Sequence, residues 1–230
     1  MEIGKQERGL IGSILDKVSR KKGDMGEKIR LMGVEDLARI VEQDEWQFCQ
    51  KLLDYVCPAD YGLGHCESRN TGGIPGELVP IRGQWYRCGD FQNVETQFLP
   101  PDTYEAFLKL NRAMRNELGA GLILFSGFRS IAYQFYIFLY WLRAHNWDFL
   151  HTLQRVALPG WSEHGDPSNP AIDVMTVDGI PSSGRSIGFE TTAEFRWLTE
   201  NVGSHGFRHS FPKNNGRGKI FEPWHVRLQQ

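Results

Sequence analysis

Long apolar runs, a charge surplus of either sign and cysteines are all scarce in this 230-residue chain, and each scarcity removes a class of protein. The most apolar run, Phe135 to Leu142, ends at Arg143 and is far shorter than the ~20 residues needed to span a bilayer. Lys and Arg total 26 against 28 Asp and Glu, so no basic field is present to attract phosphate backbones or anionic lipids, and nucleic acid is not expected as a partner. The four cysteines, Cys49, Cys57, Cys66 and Cys88, form no C-x-x-C pair, which disfavours a structural zinc site there, with or without His65. Their even number allows free thiols or two disulfides in any of three pairings, and spacing does not choose among them. No apolar leader is expected at Met1 to Leu15, because Glu2, Lys5, Glu7 and Arg8 interrupt it. The expected location is therefore the cytoplasm, or the bacterial cell envelope if an export signal lies outside this sequence or another route is used. Internal repeats, low-complexity segments and an H-E-x-x-H helix are also missing.

What is present reads as a folded, soluble chain: 40% hydrophobic, 23% charged and 12% aromatic residues, with seven Trp. Met1 to about Gly33 is weakly amphipathic through Ile3, Leu10, Ile14 and Val18, and is read as a helical arm that ends in a loop at Arg20-Lys21-Lys22-Gly23-Asp24. From Val34 the helical period runs through Leu37, Ile40, Val41, Leu52, Leu53 and Val56, and Cys57-Pro58 is expected to end that helix. Residues 58–100 are Gly-rich and carry Pro75 and Pro80; Leu78-Val79 and Trp85-Tyr86 are the candidates for brief strands. A loop system of that length commonly serves a site or is cross-linked, so this segment has two readings, as a stretch with paired cysteines or as a cover over a substrate cleft.

Asp102-x-x-Glu105 reads as a helix start, with one apolar face from Tyr104 to Leu118 and a stop at Gly119. Leu122 to Phe125 is a buried strand. Ser126-Gly127-Phe128-Arg129-Ser130 then leads into a helix, apolar almost all round from Ala132 to Leu142, which implies burial on several sides. A further helix is expected from Asp148 to Ala157, and a strand at Ile172 to Val177 closed by Asp178-Gly179. Thr191-x-x-Glu194 reads as a capping box, and a terminal strand pair is expected at 207–211 and 219–228. Helices first and strands later make an α+β fold: a small antiparallel sheet packed by helices. The expected division is a helical, loop-rich N-terminal extension over residues 1–100 and one domain over 101–230.

The chemistry concentrates in two places. His164 and Asp173 flank a short polar loop, and Glu222-Pro223-Trp224-His225 places a carboxylate and an imidazole three positions apart. A catalytic zinc takes three protein ligands and keeps a position for water. His164, Asp173 and His225 supply that set, and Glu222 remains to take a proton from the water. Residues three apart on a regular strand face opposite ways, so Pro223 must mark a bulge or an edge if Glu222 and His225 address one cleft. Asp166 is a rival ligand. His145, His151, His205 and His209 have no motif around them and read as structural.

Several pieces in the same order carry a resemblance: Ser126-Gly127-Phe128-Arg129-Ser130 with Gln134, Pro159-Gly160-Trp161-Ser162-Glu163-His164, Ala171-Ile172-Asp173-Val174, Trp197-Leu198 with Gly206-Phe207, and Glu222-Pro223-Trp224-His225-Val226-Arg227. Together they resemble the D-alanyl-D-alanine carboxypeptidase family of zinc peptidases, which includes vancomycin-resistance carboxypeptidases and shares its fold with hedgehog signalling domains and lysostaphin-type endopeptidases. The resemblance spans roughly residues 101–230 and leaves 1–100 uncovered. It implies a hedgehog/DD-peptidase-like sheet carrying Zn2+ on His164, Asp173 and His225, with Glu222 as general base and then general acid. It also implies Arg129 as the substrate-binding and oxyanion-stabilising cation, with Ser130 and Gln134 beside it at the substrate's carboxylate end. Ser130 has a second reading as a plain helix cap.

Two departures stand out. The offset from His164 to Asp173 is nine rather than the family's usual seven, an insertion of two in the Gly165–Pro170 loop, and Ser210-Phe211-Pro212 replaces an arginine followed by an aromatic-proline pair. The implied activity is hydrolysis of peptidoglycan stem peptides or D-Ala-D-Ala-terminated precursors, as a D,D- or L,D-carboxypeptidase. An endopeptidase of the same fold and a zinc-stabilised binding module are the alternatives.

Overall fold

The computed structural model describes residues 1–55, 73–167, 170–179, 186–216 and 218–229. In chain order its elements are α1 (Lys5–Met25), a 3-10 turn (Gly26–Leu31), α2 (Val34–Ile40), α3 (Gln43–Leu53), β1 (Val79–Ile81), β2 (Trp85–Cys88), β3 (Asp90–Asn93) and β4 (Gln97–Leu99). Then follow α4 (Pro101–Leu118), β5 (Leu122–Ser126), α5 (Ile131–Ala144), α6 (Phe149–Leu153), a 3-10 turn (Glu163–Gly165) and β6 (Ala171–Thr176). The chain finishes with α7 (Ser186–Phe189), α8 (Ala193–Asn201), a 3-10 turn (Val202–His205), β7 (Phe207–His209) and β8 (His225–Leu228). Two compact units result. One is Met1–Ile74 with Arg129–Gly165 and Gly216–Ile220; the other is Pro75–Phe128 with Asp166–Asn215 and Phe221–Gln230.

The first unit is helical. α1 buries Ile11, Ile14, Leu15 and Val18, the i, i+3, i+4, i+7 stripe of an amphipathic helix. It continues through Arg20–Asp24, where a loop was expected, because Lys and Arg are good helix formers and their cations suit the C-terminal end of the helix dipole. The one helix expected from Val34 is two: Val41 is extended and Glu42 restarts the chain, its N–H donating to Glu45 Oε2 at 2.6 Å. α5 is the centre of this unit, with Ala132, Phe135, Phe138, Leu139 and Leu142 fully buried among α1, α2 and α3 side chains such as Ile14, Leu37 and Leu52. The N-terminal helices thus provide the several-sided burial that its composition demands.

Ser130 caps α5, its Oγ accepting from Tyr133 N–H at 3.1 Å and donating to the Met32 carbonyl at 2.7 Å. α6 is capped by Asp148 and stops at Leu153, short of the expected Ala157. Cys49 is buried and unpaired, and burial pushes its thiol up to about 12; Cys88 is exposed and unpaired. Cys57, Cys66, His65 and the Cys57-Pro58 helix end lie outside the described residues.

The second unit carries a four-stranded sheet in the order β5-β6-β8-β7, antiparallel throughout. The pairs β1–β4 and β2–β3 form two further antiparallel ribbons, so the brief strands expected at 78–79 and 85–86 both pair. Leu122, Leu124, Ile172, Val174, Phe207 and Val226 pack with Phe107, Leu110 and Met114 of α4 and Trp197 and Leu198 of α8. Burying each such side chain contributes roughly 1.5–3 kcal/mol. β5 lies at the sheet edge, and side chains cover its free backbone: Asn111 bonds both polar groups of Leu122, and Gln84 both of Leu124.

α4 starts on Pro101 rather than at an Asp102 cap, using proline's fixed φ and missing donor, and Gly119 ends it in the left-handed conformation at φ 70°. The α8 cap is Thr192, one residue after the expected Thr191, its Oγ1 accepting from Phe195 N–H. Gly127 allows a close approach, since a Cβ there would sit 2.5 Å from the Phe98 carbonyl oxygen. Among the described residues no helix is long and apolar enough to cross a membrane.

Candidate metal centre

Asp173 and His225 face each other on the two inner strands, because β6 and β8 pair in the register Asp173↔His225. Side chains directly opposite on one face meet. Here His225 Nδ1 lies 2.8 Å from Asp173 Oδ1.

Glu222 reaches the same place by a turn. His225 N–H donates to the Glu222 carbonyl at 3.1 Å, closing a four-residue turn with Pro223 at its second position, where a fixed φ is favourable. β8 starts only at His225, so the opposite-face problem of a continuous strand does not arise, and neither a bulge nor an edge position is needed. Glu222 N–H donates to the Phe211 carbonyl at 3.1 Å, and Glu222 Oε2 lies 3.8 Å from His225 Nδ1. The Phe211 ring sits 5.1 Å from the imidazole of His225. The sequence marked Phe211 only as a departure from a pattern; its contact with a candidate ligand depends on how the chain returns to the sheet.

His164 is buried in the Glu163–Gly165 turn, which Gly165 N–H closes on the Ser162 carbonyl. Its carbonyl accepts from Arg129 N–H at 3.1 Å, tying the segment before α5 to the turn that presents the imidazole. His164, Asp173 and His225 each offer one ligand atom, and these atoms lie within 4.8 Å of one another. Asp166, His145, His151, His205 and His209 are outside that group. Asp166 instead forms an ion pair, its Oδ2 lying 2.6 Å from Arg227 NH2 with both side chains largely buried. That pair was missed because Asp166 and Arg227 are far apart in sequence. Ser130 Oγ is engaged in the α5 cap. Gln134 donates from Nε2 to the Ala157 carbonyl at 2.7 Å, while its buried Oε1 makes no hydrogen bond.

The donor set fits a divalent cation. Two carboxylates, Asp173 and Glu222, flank the His225 imidazole with their side chains only 17% and 10% exposed. Two imidazoles and a carboxylate are a ligand set that zinc takes in catalytic sites, where a fourth position stays open.

The family model for VanY, D-alanyl-D-alanine carboxypeptidase, matches residues 96–229. Nothing among the curated proteins matches. Among solved structures, the chain is similar to the LdcB LD-carboxypeptidase, a structure described as revealing the basis of peptidoglycan recognition: 26% identity, 67% of this chain and 68% of that one covered, TM-score 0.53. It is also similar to a mutant of the vancomycin-resistance D,D-pentapeptidase VanY in complex with Zn(II), at 24% identity over 74% of this chain and 89% of that one, TM-score 0.46. With the family model covering more than half of its length, the chain belongs to the D-alanyl-D-alanine carboxypeptidase family.

Proposed function

We propose that this protein is a zinc-dependent carboxypeptidase that removes a C-terminal D-alanine from peptidoglycan stem peptides or their precursors. The observation that carries the reading is the His164, Asp173 and His225 donor set within 4.8 Å, with the Glu222 carboxylate 3.8 Å from His225. His164, Asp173 and His225 would hold the ion, which when bound supplies Lewis acidity and lowers the pKa of water. Glu222 then acts as the proton carrier: its carboxylate takes the proton of the attacking water and hands it to the leaving amine nitrogen. Arg129 binds the substrate and holds developing negative charge on the scissile carbonyl oxygen; its guanidinium suits that role because it stays charged and offers a planar fork of donors. Ser130 and Gln134 support the substrate's carboxylate end from behind, Ser130 by fixing the start of α5 and Gln134 by bonding the Ala157 carbonyl.

Glu222→Gln keeps the shape and removes the proton acceptor. Hydrolysis is expected to fall by about 10²–10⁴-fold with about one equivalent of zinc retained. Near-normal hydrolysis by zinc-loaded Glu222→Gln overturns the mechanism. Mass analysis of products from a stem pentapeptide and a tetrapeptide separates D,D- from L,D-specificity, and a cross-linked dimer cut internally would identify an endopeptidase.

A further inference from the structure

The β2–β3 ribbon has two faces of different character. On the inner side Tyr86 packs with Val94, Ile123, Met175 and Phe125. On the outer side the register sets Trp85 opposite Asn93 and Arg87 opposite Phe91, and all four are exposed. Trp85 is 47% and Phe91 71% exposed, and their rings meet edge to face with centroids 4.9 Å apart. Isolated exposed apolar residues need no explanation, but two large aromatics in contact on one solvent face are a recognition signal.

The ribbon is held firmly. Gln84, just before β2, bonds both backbone groups of Leu124 on β5. Arg87 N–H donates to the Val177 carbonyl at 2.8 Å, and Arg87 NH2 meets Asp178 Oδ1 at 2.6 Å. The rings therefore project from a fixed base attached to the middle of β5 and to the residues just after β6, the strand that carries Asp173.

We propose that this outer face is a glycan-binding platform, on which the C–H faces of uncharged N-acetylated sugars stack against Trp85 and Phe91. The choice of ligand rests on the proposed function, whose substrate peptides are borne on such a polymer. Charge also argues for it. From Trp85 to Asn93 the ribbon holds one Arg, already matched by Asp178, one Asp and no Lys, which offers nothing to an anionic lipid or a phosphate. Aromatic faces, negative at the ring centre, receive the polarised C–H bonds of a sugar, and the Asn93 amide can bond its hydroxyl or acetamido groups. A stable dimer would need about 800 Å² from each copy, far more than two rings and their neighbours supply.

The test is calorimetric titration with a tetramer of N-acetylglucosamine against the intact protein and the Trp85→Ala/Phe91→Ala double variant. The intact protein is expected to bind, and the double variant to bind about tenfold more weakly or worse. Trp85→Tyr and Phe91→Tyr should keep most of the binding, and hydrolysis of a sugar-free stem peptide should be unchanged in all variants. Because both rings are exposed, the double variant is expected to melt like the parent; if it does not, the two Tyr variants and Phe91→Ala alone carry the comparison. Failure of the intact protein to bind the tetramer, or equal binding by the double variant, overturns the platform. Loss of anionic-vesicle binding or of self-association in the double variant, with tetramer binding intact, overturns it in favour of those partners. Tetramer binding without any peptide hydrolysis removes the carboxypeptidase reading and leaves the platform standing.

Discussion

The Glu45 carboxylate of the helical unit and the Asp173, Glu222 and His225 cluster of the sheet unit hold buried charge in different ways. In the helical unit Glu45 is buried, but its carboxylate meets Lys17 Nζ at 2.7 Å and the Glu42 N–H at 2.6 Å. Burial pushes that carboxyl up, and hydrogen bonds from Lys17, Ser13 and the Glu42 backbone more than offset it, leaving it below the ordinary value. In the sheet unit, Asp173 and Glu222 converge on one imidazole. The first arrangement pairs one carboxylate with one ammonium and supports the helices; the second gathers donor atoms able to hold a cation. Convergence of several donor atoms on one point, rather than buried charge as such, is what distinguishes a candidate site from a structural pair.

That contrast can be broken in graded steps. Asp166→Asn removes the buried ion pair with Arg227 and is expected to cost about 3–5 kcal/mol by denaturant titration, the behaviour of a completed pair. Phe138→Ala, at a fully buried position beside Phe149, should cost a similar or slightly smaller ~3–4 kcal/mol, with no direct effect on any group in the metal centre.

His209 sharpens the comparison. Burial first, and the nearby His225 second, push its imidazole down to about 4, and its buried Nε2 has no hydrogen-bond partner. The folded state therefore holds it neutral while the unfolded chain takes a proton near 6.5, so this residue lowers stability as pH falls from about 6.5 to about 4. His209→Leu should remove that slope and gain about 1–2 kcal/mol at pH 5. At the small end, Arg39→Ala loses exposed contacts to Glu35 and Asp36 and should shift stability by less than about 0.5 kcal/mol.

Local signals were the legible part of the fold. The apolar stripe of α1, the left-handed glycine after α4 and the all-apolar α5 are each written in neighbouring residues. Misreadings occurred where two local rules competed. Arg20–Asp24 is charged like a loop yet made of good helix formers, and it stays helical. Thr191 and Thr192 are both cap-forming residues, and it is the Thr192 hydroxyl that accepts from Phe195 N–H. Val34 to Val56 kept helical periodicity across a break that only the Glu42–Glu45 cap reveals.

The sequence by itself determined the α+β class, the family through ordered motifs, and the identity of donors able to hold a divalent ion. Side-chain chemistry and short-range periodicity are properties of the chain, so they survive without coordinates. Tertiary structure decided what lies between distant positions: the Asp173–His225 register, the turn at Pro223 that brings Glu222 to the same ring, the pairing of Asp166 with Arg227, and the burial of α5 by helices from the other end of the sequence. Those contacts join residues that no local period relates, and their energies come from packing and desolvation that exist only once the chain is folded.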